Sequence, residues 1–261
     1  MFLTSCKFLL ILALLQCFSH PCSTRDLLDV RGQANLKNVS ETSIDAGQYM
    51  HPRDLFDYFT LVREWGTTFC DHTSCNRRPR NGFTIHGLWP EYRDGGWPEY
   101  CTKQPFRIAV VEDLLPKLEL EWPSLKMSNK DFWEHEWSRH GTCAISRFHS
   151  ERAFFETALK LHETFDIEAT LAQNGILPSN AVSYNTKFVE KAIAVKFGYL
   201  PQLHCMGEQL NEVWMCIGKD LKAMECPTSR SSCGNRITIP MQTGIAAAGE
   251  RVPSVEQTSV Q

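Results

Sequence analysis

Apolar residues recur between residues 54 and 240 with two different spacings, separated by short polar or glycine-bearing breaks. Phe56, Tyr58 and Thr60 open an extended segment rich in aromatic and β-branched residues, which predicts a strand. Phe83-Thr84-Ile85-His86-Gly87-Leu88-Trp89 predicts a second strand, ended by Pro90. Strict alternation puts Phe83, Ile85 and Gly87 on one face and Thr84, His86 and Leu88 on the other. Three- and four-residue spacing predicts helices near Asp113–Leu120, Asp131–His140, Arg152–His162, Ile167–Gln173 and Thr186–Phe197. Asp166 is placed to cap the fourth of these, and Gly175 lies just past its end. Cys205 to Cys233 reads as strands and turns closed by disulfides. Together these elements predict an α+β class.

The flanks differ in pattern. Lys7 precedes an apolar run from Phe8 to Leu15, followed by small and polar residues through Ser23. That is the layout of a signal peptide, and the run is shorter than the roughly 20 residues a membrane span needs. Residues 24–53 are polar and without a sustained period, which predicts a leader or propeptide. It holds the sequon Asn38-Val39-Ser40, so Asn38 is a glycosylation candidate. Residues 241–261 are rich in Ala, Gly, Thr, Ser and Gln and predict a flexible tail. The expected organisation is therefore signal peptide 1–23, leader 24–53, one globular domain 54–240 and tail 241–261. The expected location is the secretory pathway, then outside the cell or in a vacuole, with no membrane partner.

Cysteine content changes the picture further. Of 11 cysteines, eight follow the signal and its flank: Cys70, Cys75, Cys101, Cys143, Cys205, Cys216, Cys226 and Cys233. An even number in an exported chain reads as a disulfide framework, and the absence of any C-x-x-C pair argues against zinc. The 43% hydrophobic and 22% charged composition is ordinary for a globular protein and excludes collagen-like, coiled-coil and fully disordered chains. A formal charge of −3 argues against a strongly basic nucleic-acid-coating protein, though not against a local basic site.

Two polar-aromatic clusters carry the candidate chemistry. One is Phe83 to Pro90; the other is Phe132-Trp133-Glu134-His135-Glu136-Trp137-Ser138-Arg139-His140-Gly141-Thr142-Cys143. On a helix, Arg139, Glu136 and His140 lie about 40°, 100° and 140° around from His135. Four titratable groups then share less than half the circumference, while Trp133 and Trp137 form an i,i+4 pair that anchors the helix in the core. A zinc protease helix needs histidines four apart; His135 and His140 are five apart and diverge. A solvated helix with Glu136 paired to Arg139 or His140 is the ordinary alternative. Two histidines on separate elements, with a carboxylate and a cation, suit concerted acid–base chemistry at a phosphate. Metal-free RNA cleavage needs a base for the 2′-OH, an acid for the departing 5′ oxygen, and cations for the transition-state charge. It needs no cofactor.

The two clusters resemble the two active-site motifs of the RNase T2 family, in the family's order. The likeness extends to Phe56-Asp57-Tyr58-Phe59, to Trp97-Pro98-Glu99-Tyr100-Cys101 and to Cys205–Cys233. The stretch Phe83 to Cys101 looks most like plant members, and the acidic composition and tail look like the S-like branch. The resemblance implies a single α+β domain with a central, mostly antiparallel sheet packed by helices. It implies cleavage of single-stranded RNA through a 2′,3′-cyclic phosphate to a 3′-phosphate, with broad base preference. His86 falls on the family's general acid, His140 on its general base, and Glu136 on the group assisting at the phosphate. His135 and Trp89 would bind phosphate, and Phe132 would line the cleft. The implied disulfides are Cys70–Cys75, Cys101–Cys143, Cys205–Cys233 and Cys216–Cys226. Spacing alone does not select among the roughly one hundred pairings that eight cysteines allow. Metal, cofactor and obligatory protein partner are not implied, and a monomer is expected.

Three departures stand out. Arg139 replaces a customary Lys, exchanging a point charge for a planar fork at the phosphate. Glu64-Trp65-Gly66 replaces Gln-Trp-Pro, so the base-contacting amide becomes an acid at Glu64. Asn76 and Met127 stand roughly where many members have two further cysteines. Rival readings are a catalytically weak recognition or storage protein, which retention of His86, Glu136 and His140 disfavours, and a self-incompatibility ribonuclease, which the charge disfavours.

Overall fold

A computed structural model describes residues 56–242. The predicted signal, leader, Asn38 and most of the tail lie outside the described residues. The elements run β1 (Tyr58–Trp65), α1 (Gly66–His72), β2 (Phe83–Glu91), α2 (Leu115–Glu121), α3 (Asn129–Arg139), α4 (Ile145–Phe148), α5 (Glu151–Thr164), α6 (Ile167–Gln173), β3 (Ser179–Asn185), α7 (Thr186–Phe197), β4 (Gln202–Met206), β5 (Gln209–Ile217) and β6 (Arg236–Ile239). The sheet runs β2-β1-β5-β6-β3, with β4 also on β5. Pairing is antiparallel except for the Gln209–Thr238 bridge between β5 and β6.

The helices begin where the side chains dictate. Ser128, Ser150, Asp166 and Asn185 each accept a hydrogen bond from a first-turn amide, satisfying donors the helix leaves free. The core is aromatic: Phe59, Trp122, Trp137, Phe154 and Phe155 are wholly buried. The Trp133–Trp137 pair anchors α3 as its spacing predicts. Each buried indole finds an acceptor: Trp133 donates to the Trp122 carbonyl (2.8 Å) and Trp137 to the Gln104 carbonyl (3.0 Å).

Strand β2 departs from the sequence expectation twice. Val62 pairs with Gly87 and Arg63 with Ile85, so His86 is an extra residue in a β-bulge. Beyond the bulge the alternation shifts by one: Ile85 and Leu88 both face the core, and Gly87 does not share their side. Pro90 does not end the strand either. It pairs with Phe59, and β2 continues to Glu91. Proline is tolerated there because β2 is an edge strand, whose outer side needs no ladder donor.

All four implied disulfides are present. Where many relatives would carry a fifth, Asn76 hydrogen-bonds the Leu125 and Lys126 carbonyls, tying the same two segments together without a covalent bond. Cys101–Cys143 closes a loop of 42 residues and pins the chain that follows α3. Chain-entropy scaling makes such a crosslink worth about 4 kcal/mol. A Cys101→Ser/Cys143→Ser double variant is expected to unfold roughly 10 °C below wild type by calorimetry; an unchanged Tm would refute this.

Candidate active site

Three elements converge on one cavity of about 190 Å³. The bulge of β2 presents His86, and Trp89 follows on the same strand. The last two turns of α3 supply His135, Glu136 and Arg139, and His140 closes that helix. All six line the cavity, together with Glu91, Trp97, Trp214 and Arg230. Trp89 lies between the two histidines: its ring stacks on His140 (centroids 5.2 Å, 25° between planes) and meets His86 edge-on (5.0 Å, 77°). Its indole N–H donates to Glu136 Oε2 at 2.9 Å. Phe132 packs at 6.1 Å from the His86 ring.

The solvated-helix alternative does not describe α3. Glu136 is only 1% exposed and bonds Trp89, while Arg139 pairs with Glu99 at 3.0 Å rather than with Glu136. His135 is exposed at the rim. Glu64 is not on the cavity wall. It sits in register with Glu212 across β1 and β5, and one potential ligand atom from each of Glu64, Glu212 and His86 falls within 4.8 Å of the others. Among the described residues this is the one cluster with metal-ligand proximity, and His135 and His140 are not in it. His86 Nδ1 is already engaged there, at 2.6 Å from Glu212 Oε1. A larger cavity of about 340 Å³ is lined by none of the predicted site residues, and its acids and bases pair internally, as in Arg80–Glu121 (3.0 Å) and His162–Glu121 (3.3 Å).

Electrostatics drive the two histidines apart. Burial pulls His86 down, but the hydrogen bond and charge of Glu212, aided by Glu136 and Glu64, overcome it and push its pKa up to about 9. Burial, reinforced by the charges of Arg139, His135 and His86, pushes His140 down to about 3. Burial pushes Glu136 up to about 7 against the opposing pull of His86 and the Trp89 hydrogen bond. At mildly acidic pH the cavity therefore holds a charged imidazole, a neutral imidazole and a carboxyl able to donate. Widely separated titrations in one cavity are the arrangement that acid–base chemistry requires.

The ribonuclease T2 family profile matches residues 56–226, nearly the whole described chain. The chain belongs to the ribonuclease T2 family. Its class is that of an RNase T2-type endoribonuclease. It is 35% identical to ribonuclease DdI of Dictyostelium discoideum over 78% of this chain and 93% of that protein. It is 34% identical to the intracellular ribonuclease LX of Solanum lycopersicum over 71% of this chain and 84% of that one. Among solved structures, RNase NT in complex with 5'-AMP superposes with a TM-score of 0.66 at 32% identity, covering 71% of this chain and 98% of that one.

Glu91, Trp97, Glu212, Trp214 and Arg230 were not legible as site residues. Glu212 and Trp214 sit on β5, far along the chain from both motifs, and only the sheet brings them to His86. An acid next to the apolar run Val213–Ile217 of β5 was the one available signal.

Proposed function

We propose that this protein cleaves single-stranded RNA by metal-independent transphosphorylation, with broad base preference. His140, held neutral, takes the proton of the 2′-OH as that oxygen attacks phosphorus. His86, held charged, gives a proton to the departing 5′ oxygen. The products are a 2′,3′-cyclic phosphate and a free 5′-OH, and water then opens the cycle to a 3′-phosphate. Glu136, protonated below about 7, can donate to a non-bridging oxygen. Arg139 supplies positive charge at the rim, and His135, lowered by burial and by the charge of Arg139, adds to it only at lower pH; Trp89 and Phe132 shape the cleft, and Glu64 acts from behind His86. The observation that carries this reading is the pair of oppositely shifted histidines on either side of Trp89. The relative RNase NT is described in complex with 5'-AMP, which supports a nucleotide as the kind of ligand bound. Export through the secretory pathway to the exterior or a vacuole, glycosylation at Asn38 and a monomeric state belong to the same proposal. The described residues hold no helix long and apolar enough to cross a membrane.

The test is cleavage of single-stranded RNA by the purified protein from about pH 2 to 10, a range that brackets both shifted histidine values, with chelator present. The rate should rise as pH climbs through the His140 value of about 3 and fall as it climbs through the His86 value of about 9. Cyclic phosphate should appear first. Loss of activity with chelator, restored by zinc, would overturn metal independence. No cleavage by folded protein at any pH would move the reading to a recognition or storage protein.

A further inference from the structure

His86 occupies an unusual backbone position. As the extra residue of the β2 bulge it has no partner of its own across the ladder. Two contacts tether it instead. Its carbonyl accepts the Trp122 indole N–H at 2.9 Å, and its ring is held through Nδ1 by Glu212 Oε1 at 2.6 Å. Glu212 is itself fixed. It is 8% exposed, and its second oxygen, Oε2, accepts the Trp214 indole N–H at 2.7 Å. Trp214 is in turn packed on the His204 ring at 4.0 Å and lies under the Arg230 guanidinium at 5.4 Å. Both carboxylate oxygens are therefore committed, one of them to the imidazole.

We propose that Glu212 is the positioning residue of this active site: by binding His86 Nδ1 it orients the ring so that Nε2 faces the substrate, and it keeps the proton His86 must deliver. The inference rests on the ribonuclease reading above, in which His86 is the general acid. Glu212 touches neither substrate nor the reacting atoms and acts only through His86. Glu64 plays a different part. It lies in register opposite Glu212, and burial together with Glu212's charge pushes it up to about 7 against the pull of His86. It thus carries a proton at mildly acidic pH and leaves Glu212 as the charged partner. The groups facing His86 are Glu64 from β1, Glu212 from β5, and Glu136, His135 and His140 from α3 and its end. His204 on β4 faces Glu212 from the other side, is lowered by burial, and adds no charge at neutral pH.

Glu212→Gln keeps an acceptor for Nδ1–H but removes the charge; Glu212→Ala removes both. An opposite charge at hydrogen-bond distance raises a partner's pKa by about 1–3 units. The basic limb of kcat/KM is therefore expected to move at least about one pH unit downward in E212Q. For a shift of one to three units from about 9, the rate at pH 8 should fall about twofold to a hundredfold, with near-recovery at pH 5. E212A should stay depressed at pH 5 as well, because the ring is no longer aimed. A purely structural role would lower Tm and leave the basic limb where it is. An unmoved limb in an active, folded E212Q overturns the inference while the ribonuclease reading stands. Absence of RNA cleavage by folded wild type overturns that reading instead. Should E212Q not fold, histidine NMR of wild type decides the matter. The imidazole signal missing from His86→Ala must titrate well above the ordinary value of about 6.5; titration at or below it overturns the inference.

Discussion

His140→Ala is expected to lower kcat/KM for single-stranded RNA by about 10²–10⁴-fold, and His86→Ala by a comparable factor. Under the proposed mechanism each removes one of the two proton-transfer groups. The double variant should be little worse than either single, since acid and base act in one concerted step. The pH profiles separate the roles. H140A should lose the acid limb, because no neutral imidazole remains whose protonation near pH 3 switches the base off. H86A should lose the basic limb set by a group near 9. Wild-type rates in both variants, with the fold verified by near-ultraviolet circular dichroism, would refute the assignment. H140A carries a second expectation with opposite sign. The folded value of His140 lies far below the unfolded one of about 6.5, so its contribution to stability is full above 6.5 and is lost as pH falls toward 3. H140A should therefore hold its Tm better than wild type as the solution is acidified through that window.

Much of this site could be read before the fold was known, for a physical reason. Helix α3 concentrates His135, Glu136, Arg139 and His140 within two turns, and the Trp133–Trp137 stripe fixes which way the helix faces. Local spacing was enough to group them on one side of the helix, whereas their roles are what the family resemblance implies. The β2 residues were identifiable as chemistry but not as geometry: a bulge is set by pairing with β1, and no residue of Phe83–Trp89 announces that His86 is the extra one. Glu212 was illegible because its meaning lies wholly in the partner strand's register. The fold shows the same division. Helices with capped, periodic sequences were visible, whereas α1 begins Gly-Thr-Thr, residues poor in helix propensity, and is held by Cys70–Cys75 and by the Thr68 hydroxyl on the Leu210 carbonyl (2.7 Å). Strand β3, polar and largely exposed, exists because β6 pairs with it, and its sequence has no alternation to betray it.

Gly87→Ala is expected to damage the enzyme nearly as much as loss of a catalytic histidine, without touching one. A Cβ built on Gly87 would fall far inside contact distance of Trp89 Nε1 and Glu136 Oε2. Those two atoms form the 2.9 Å hydrogen bond that fixes Trp89 between His86 and His140. Neither neighbour can yield without loss. Glu136 sits on a helix anchored by two buried tryptophans, so Trp89 must rotate away. That leaves a buried carboxyl without its donor and opens the gap that keeps the histidines at their separation. Overpacking together with an unmade buried hydrogen bond costs about 1–3 kcal/mol. Activity should fall about 100-fold, mainly in kcat, since misplacing reacting groups by an ångström has that order of effect. Gly234→Ala is the matched control: a Cβ there meets nothing within 4 Å, so both rate and Tm should stay at wild type. In combination, Gly87→Ala and Trp89→Phe should lose far less than the product of their separate effects, because the second removes the group the first displaces. Full multiplicativity, or a wild-type kcat in Gly87→Ala, would show that the Trp89–Glu136 contact does not hold the histidines in place.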